Sequence, residues 1–265
     1  MLRITVINDK LRDLVVKNVK IGICNQKGGV GKTTTAINLA SYLAVFGRDV
    51  LLIDMDPQAA ATSGVGIEKA NGTIYDVLVG DKSIEDVIIS SKVDNLSVIP
   101  SDISLAGAEV EFSNEVGREF LLKDALDSVE FDYIIVDSPP NLGVLTLNTM
   151  IACVNLLVPI QAEYYALEGL AQLIKTINLI KKRLKIELKP RYLITMYDSR
   201  TKLSEEVSKQ IREYFKDRVF KTIIPRNVRL AEAPSHGLPI HLYDESCKGA
   251  LAYKKLAEEV DSVEW

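Results

Sequence analysis

Apolar and polar positions alternate in blocks along the chain, and the blocks outline a fold before any single residue is weighed. Continuous apolar runs rich in Val, Ile and Leu recur at residues 20–24, 50–53, 96–99, 133–136, 156–160, 192–195 and 222–224. A strand covered on both faces reads this way, because neither side of its pleat meets water. Helical spacing fills the intervals at 33–46, 118–128, 164–184, 202–217 and 247–260. In the first of these, Ile37, Ala40, Leu43 and Ala44 share one face and Gly47 ends the pattern. Strand and helix in alternation predict an α/β fold: a doubly wound, mostly parallel sheet with helices on both faces and right-handed crossovers. Residues 19–265 read as one domain, without repeats, low-complexity stretches or a linker. Residues 1–18 stand apart as an extension. Within it Leu2, Ile4 and Val6 alternate with Arg3 and Thr5 as in an edge strand, and a loosely docked arm fits equally well.

Composition narrows the class. Of 265 residues, 47% are hydrophobic and 26% charged, enough for a sizeable core. No apolar run approaches the roughly 18 residues that span a bilayer. Charges at Arg3, Asp9, Lys10, Arg12 and Asp13 deny the N-terminus the apolar centre of a signal peptide. Cys24, Cys153 and Cys247 are odd in number, far apart and without a C-x-x-C pair, so they read as thiols in a reducing cytoplasm. His236 and His241 have no neighbouring cysteine and suggest no metal site. The net charge of -4 conceals an asymmetry. Residues 181–230 hold fifteen Lys or Arg against six Asp or Glu, which leaves the rest of the chain at -13. Such a bias points to contact with nucleic acid or a membrane surface, against the alternative of a solvated helix face.

The chemistry concentrates at the carboxyl ends of the strands, where open α/β sheets bind ligands. Lys27-Gly28-Gly29-Val30-Gly31-Lys32-Thr33-Thr34 joins a strand to a helix, the setting that a phosphate-binding loop requires. Its glycines let successive N–H groups turn inward, and the helix adds its positive end. Lys32 is placed to contact β- and γ-phosphates of ATP or the β-phosphate of ADP, and the Thr33 hydroxyl to bind Mg²⁺. The ordinary loop carries Gly six residues before the lysine. Here that position is Gln26, and a second lysine, Lys27, opens the loop. Two apolar strands close on aspartates. Asp137 suits the carboxylate that supports Mg²⁺ through water. Asp54 is a second candidate, for the metal's waters or for a hydrogen bond to the loop. Asp56 follows two residues later, pinned by Pro57.

The segment from Lys27 to Thr34 resembles the deviant Walker A loop of the ParA/Soj/MinD family of P-loop ATPases. The likeness extends to Asp56-Pro57-Gln58, Leu105 to Glu109, Glu163 to Gly169, and Ile224-Pro225-Arg226-Asn227 through Gly237, all similar to the chromosomal ParA/Soj branch. This resemblance implies an Mg-dependent ATPase of weak intrinsic activity, whose second switch aspartate, Asp56, orients the attacking water. It implies that Lys27 crosses to the nucleotide of a partner copy in an ATP-sandwich homodimer. It also implies adenine contacts from Pro225 and Asn227, with Asn227 both donor and acceptor, against the alternative of an ordinary turn. Non-specific double-stranded DNA would be bound through Arg200 and Arg229, with Lys202, Lys209, Arg212 and Arg226 in support. A ParB-type centromere-binding protein would stimulate hydrolysis, and the chain would be cytoplasmic and nucleoid-associated. A MinD-type membrane-positioning ATPase is the alternative. The acidic, short C-terminus, with four acids and two lysines over 253–265, predicts no stable membrane attachment. An iron-protein reductase would need a cysteine pair to hold a cluster, and none is spaced for it. Tyr164 and Tyr165 are expected to pack inside.

Overall fold

The computed structural model describes residues 18–112, 115–164 and 166–265. The expectations for the N-terminal extension and for Tyr165 fall outside these residues. In chain order the strands are β1 (Val19–Ile23), β2 (Val50–Asp54), β3 (Ile89–Ser90), β4 (Leu96–Ile99), β5 (Tyr133–Asp137), β6 (Asn155–Gln161), β7 (Lys189–Tyr197) and β8 (Val219–Pro225). The α-helices are α1 (Lys32–Val45), α2 (Ala60–Gly64), α3 (Ile74–Leu78), α4 (Leu105–Glu111), α5 (Leu121–Ala125), α6 (Val144–Cys153), α7 (Ala166–Leu184), α8 (Lys202–Phe215), α9 (Val228–Glu232), α10 (Ile240–Asp244) and α11 (Lys248–Ser262). The strands form one sheet of order β3-β4-β2-β5-β1-β6-β7-β8, parallel except where β3 meets β4.

Every apolar run expected as a strand is one. Alternate residues of each run go to opposite faces, as the pleat demands. From β2, Val50 and Leu52 join a cluster built with α1 and α11, whereas Leu51 and Ile53 join one built with the helices between β2 and β6. A third cluster forms where Leu156, Val158, Tyr192 and Ile194 meet α7 and α8. The apolar face of α11 (Ala250, Tyr253, Leu256, Ala257 and Val260) is spent on the first cluster. The expected helix at 118–128 is shorter: a 3-10 turn at Arg118–Phe120 leads into α5. Helix α6 is not anticipated by the hydropathy pattern. Eight of its ten residues are buried, so it lacks the polar stripe that reveals a surface helix.

Order in the sheet places the ends of β1, β2 and β5 side by side, with Asp54 opposite Asp137 across the β2–β5 ladder. Those ends, with the ends of β7 and β8, form one rim.

Candidate functional site

The glycine-rich segment turns between β1 and α1. Gly29 and Gly31 adopt positive φ of 74° and 90°, a conformation costly for a side chain. A Cβ added at Gly28, Gly29 or Gly31 would meet nothing within 4 Å, so the inner side of the loop is open. Three contacts fix the loop from outside. Asn25 donates to the Pro159 carbonyl at 2.7 Å and accepts from the Lys27 amide at 3.0 Å. The Thr195 hydroxyl of β7 donates to the Val30 carbonyl at 2.8 Å. Lys32 is 6% exposed, its ammonium donating to the Lys27 carbonyl at 3.3 Å. Burial pulls its pKa down, while the charges of Asp137 and Asp56 hold it up. A cation kept this dry lacks most of its hydration and gains strongly from an anion beside it.

The two strand-end aspartates differ in how they are held. Asp54 and Asp137 are both 0% exposed. Asp54 is fully engaged. One oxygen accepts the Asp56 amide at 3.1 Å; the other accepts the Thr62 amide and hydroxyl, both at 2.8 Å. Burial lifts its pKa to about 6 against those bonds. Asp54 therefore organises the segment after β2, and of its two expected roles the hydrogen bond to the phosphate loop is not among its contacts. Thr62 ties this network to the Ser101 amide at 2.9 Å, a role that its place in the segment after Asp56-Pro57-Gln58 did not reveal.

Asp137 is the opposite case. Neither of its oxygens has a hydrogen-bond partner among the described residues. Burial and the neighbouring Asp54 raise its pKa well above the usual carboxylate value; the Thr33 hydroxyl and the charge of Lys32 pull the other way. A buried carboxylate without partners is costly to keep, and a hard cation shared with Thr33 would satisfy it. No cluster of three or more His, Cys, Asp or Glu suited to a metal occurs among the described residues, so any cation here would draw its remaining ligands from water or phosphate. Asp56 lies half-buried just beyond, its carboxylate accepting the Gln58 amide at 3.0 Å.

The adenine candidates converge with the loop. Pro225 and Asn227 line a largely apolar cavity of about 410 Å³ together with Gly31, Thr34, Met196 and Tyr253. Asn227 also caps α9, its oxygen accepting the Arg229 amide at 2.8 Å. That bond occupies one of the oxygen's two acceptor sites and leaves the amide nitrogen, among the described residues, to donate.

The three cations expected to act at the surface, Lys27, Arg200 and Arg229, each have a carboxylate partner. Lys27 lies 3.3 Å from Glu163. Arg200, 85% exposed, forms a two-pronged pair with Asp198 at 2.9 and 2.7 Å and draws that carboxyl's pKa far down. Arg229 pairs with Glu232 at 2.9 Å and Asp244 at 3.5 Å. Among the four supporters, Lys202 is exposed at the start of α8, Lys209 faces Glu213 at 3.9 Å, Arg212 donates to the Lys221 carbonyl, and Arg226 lines the same cavity as Asn227. Tyr164 is 76% exposed, contrary to the expected packing. Both histidines have ordinary roles. His241 bonds Ser41 at 2.9 Å, and His236 stacks on Tyr243. Burial raises the Cys24 thiol to about 12, and Cys247 caps α11 by accepting the Ala250 amide.

One further contact joins the two halves of the rim. Gly66, just after α2, and Gly237, after the turn that follows α9, cross at backbone contact. A Cβ on Gly237 would stand 2.8 Å from the Gly66 Cα, and one on Gly66 2.8 Å from the Gly237 carbonyl oxygen.

Comparison with known proteins agrees with this geometry. A family model described as an AAA domain matches residues 18–190. The sporulation initiation inhibitor protein Soj of Bacillus subtilis is 53% identical over 91% of this chain and 97% of its own length. The chromosome partitioning protein ParA of Myxococcus xanthus is 52% identical over 91% and 87%. Among solved structures, cobyrinic acid a,c-diamide synthase from Mycobacterium smegmatis, with bound ADP and magnesium, superposes with a TM-score of 0.80 at 35% identity, covering 91% of this chain and 92% of that one.

Proposed function

Because this chain belongs to the Soj/ParA family of chromosome-partitioning P-loop ATPases, we propose that it is an ATP-driven switch for moving a chromosome or plasmid. The observation that carries the reading is Asp137: buried, without a partner, and beside Lys32 and Thr33 at the mouth of an open phosphate loop. On this reading residues 19–265 act as one ATPase unit. The N–H groups of Gly28 to Thr34 cradle the phosphates, Lys32 neutralises them, and Pro225 with the Asn227 amide holds adenine in the adjoining cavity. Thr33 and Asp137, the latter through water, hold Mg²⁺. The chemistry that Mg²⁺ supplies there is charge neutralisation on the β- and γ-phosphate oxygens. Asp54 keeps Asp56 in place by accepting its amide, and Asp56 orients the water that attacks. Positioning and electrostatics carry the rate, with no covalent intermediate.

Lys27 completes the site in trans, reaching the nucleotide of a second copy so that ATP favours a symmetric dimer. Dimerisation doubles the cations presented by Arg200 and Arg229, and non-specific DNA affinity rises steeply with the number of phosphates neutralised. The ATP dimer would thus sit on the nucleoid, and a ParB-type partner would speed hydrolysis and release the chain to the cytoplasm. The burial of the apolar face of α11 weighs against the membrane alternative, because little is left to enter a bilayer. No helix among the described residues is long and apolar enough to cross a membrane.

The deciding experiment measures binding to non-specific duplex DNA in ATP, ADP or no nucleotide across a salt titration. Binding should require ATP and weaken with salt. Arg200→Ala/Arg229→Ala should flatten the log–log salt slope by about 4 for a dimer, roughly 1 for each phosphate that is no longer neutralised. Equal binding in every nucleotide state would refute the switch.

A further inference from the structure

Two adjacent residues at the start of the phosphate loop grip the same segment after β6. Gln26 donates to the Gly169 carbonyl at 2.8 Å, and the Lys27 ammonium lies 3.3 Å from a Glu163 oxygen. Glu163 is itself fixed. Its amide donates to the Gln161 carbonyl at 2.8 Å, and its second carboxylate oxygen accepts from the Gln161 side chain. Glu163 is the one acid within ion-pair distance of Lys27 among the described residues. Beside Gln26 and Lys27 lies an open cleft of about 610 Å³, lined also by Pro140, Asn141, Gly169 and Gln172. The lysine meant to leave its own chain is thus held back by that chain, at the edge of the space a second copy would enter.

We propose that Glu163 is a positioning residue that retains Lys27 in the single chain and sets the threshold for engaging a second copy. The inference rests on the trans role of Lys27 given above. Lys27 leaves Glu163 only for a site of greater negative charge. The terminal phosphate of ATP carries charge that ADP lacks, so a single half-exposed carboxylate is a barrier that ADP is less able to overcome. A half-exposed pair of this kind holds with a factor of about 1.4 to 5. A symmetric dimer opens two of them, so the factor enters squared, about 2- to 30-fold. Specificity here comes from an interaction that opposes the wrong state, rather than from an added contact in the right one.

The test uses the full chain carrying Asp56→Ala to suppress turnover, with and without Glu163→Gln. Because the Glu163 side chain is about half exposed, the amide should keep the fold. First, the nucleotide-free protein is pulse-labelled with an amine-acylating reagent, and modification of Lys27 is quantified by mass spectrometry against exposed Lys248. Glu163→Gln should speed Lys27 labelling about 1.4- to 5-fold and leave Lys248 unchanged, with Glu163→Asp recovering part of the protection. Second, sedimentation in Mg-ATP should show the dimer tightened about 2- to 30-fold by Glu163→Gln. Unchanged Lys27 labelling would overturn the proposal, and so would faster labelling with an unmoved dimer constant. If the Asp56→Ala chain stays monomeric in saturating Mg-ATP with and without Glu163, the sandwich reading itself fails and the threshold falls with it, whatever the labelling shows.

Discussion

The two halves of the rim treat charge in opposite ways. At the ends of β2 and β5, negative charge is sealed inside. Asp54 is satisfied by three hydrogen bonds, whereas Asp137 has none. At the ends of β7 and β8, positive charge stands outside, and Arg200 and Arg229 each already have a carboxylate. Water screens an exposed pair, so its partner is exchangeable at little cost. A buried charge has no such freedom and must be met by a counter-ion or keep its proton. On the function proposed here, the inner half would wait for one particular cation, and the outer half would trade one anion for another.

The sharpest way to break the comparison is at the inner half. Asp137→Asn should lower Mg-dependent ATP turnover by about 10²- to 10³-fold in a phosphate-release assay, the usual scale for a group aimed at developing charge. A small change there would mean that the orphaned carboxylate is only a packing defect. The second test uses pH on the nucleotide-free chain. The folded state raises the Asp54 pKa to about 6, against about 3.9 when unfolded. Between those values the folded chain keeps a proton that the unfolded chain has released, so this contribution to stability is full below pH 4 and falls as pH rises through 6. The stability of wild type relative to Asp54→Asn, measured by urea unfolding, should drop by about 2 kcal/mol from pH 4 to pH 7, since a tenfold difference in proton affinity is worth about 1.4 kcal/mol and the unfolded carboxyl is already half ionised at pH 4.

Effects should shrink towards the outer half. Asn227→Asp keeps the oxygen that caps α9 but removes the amide donor. Calorimetry should show nucleotide affinity reduced about 2- to 13-fold, with unfolding unchanged. A loss of stability alone would assign Asn227 to the cap and not to the base. Smallest of all, Asp198→Asn should free Arg200 and tighten DNA binding about 1.4- to 5-fold at low salt, the difference vanishing as salt rises.

How much of this could be read from the sequence follows the same division. The parallel strands announced themselves because a strand buried on both faces is a continuous apolar run, and the phosphate loop did so because only glycines suit Gly29 and Gly31. Strand β3 is two residues long, too short to show any period, and α6 is apolar on nearly every side. At the candidate site, the pattern was enough to place Lys32, Asp56 and Asp137 near one another, because strand ends and the loop after β1 dictate where they lie. It could not show that Asp54 is spent on Thr62, that Asn227 uses its oxygen on its own helix, or that Tyr164 faces outward. Nor could it pair Lys27 with Glu163, 136 positions away. Such pairings belong to the tertiary arrangement, and no local pattern encodes them.

The crossing of Gly66 and Gly237 has a consequence for timing. Side chains between two segments act as a cushion, because rotamers can shift before the backbones feel each other. Here there is no cushion. The segment that begins at Asp56 and the one that begins at Asn227 meet main chain to main chain, so a displacement of either beyond a few tenths of an ångström is handed directly to the other. The two segments proposed to meet opposite ends of a nucleotide are in this sense geared together. They should be slow or fast as one, and a substitution that wedges them apart would give a protein whose two ends keep different clocks.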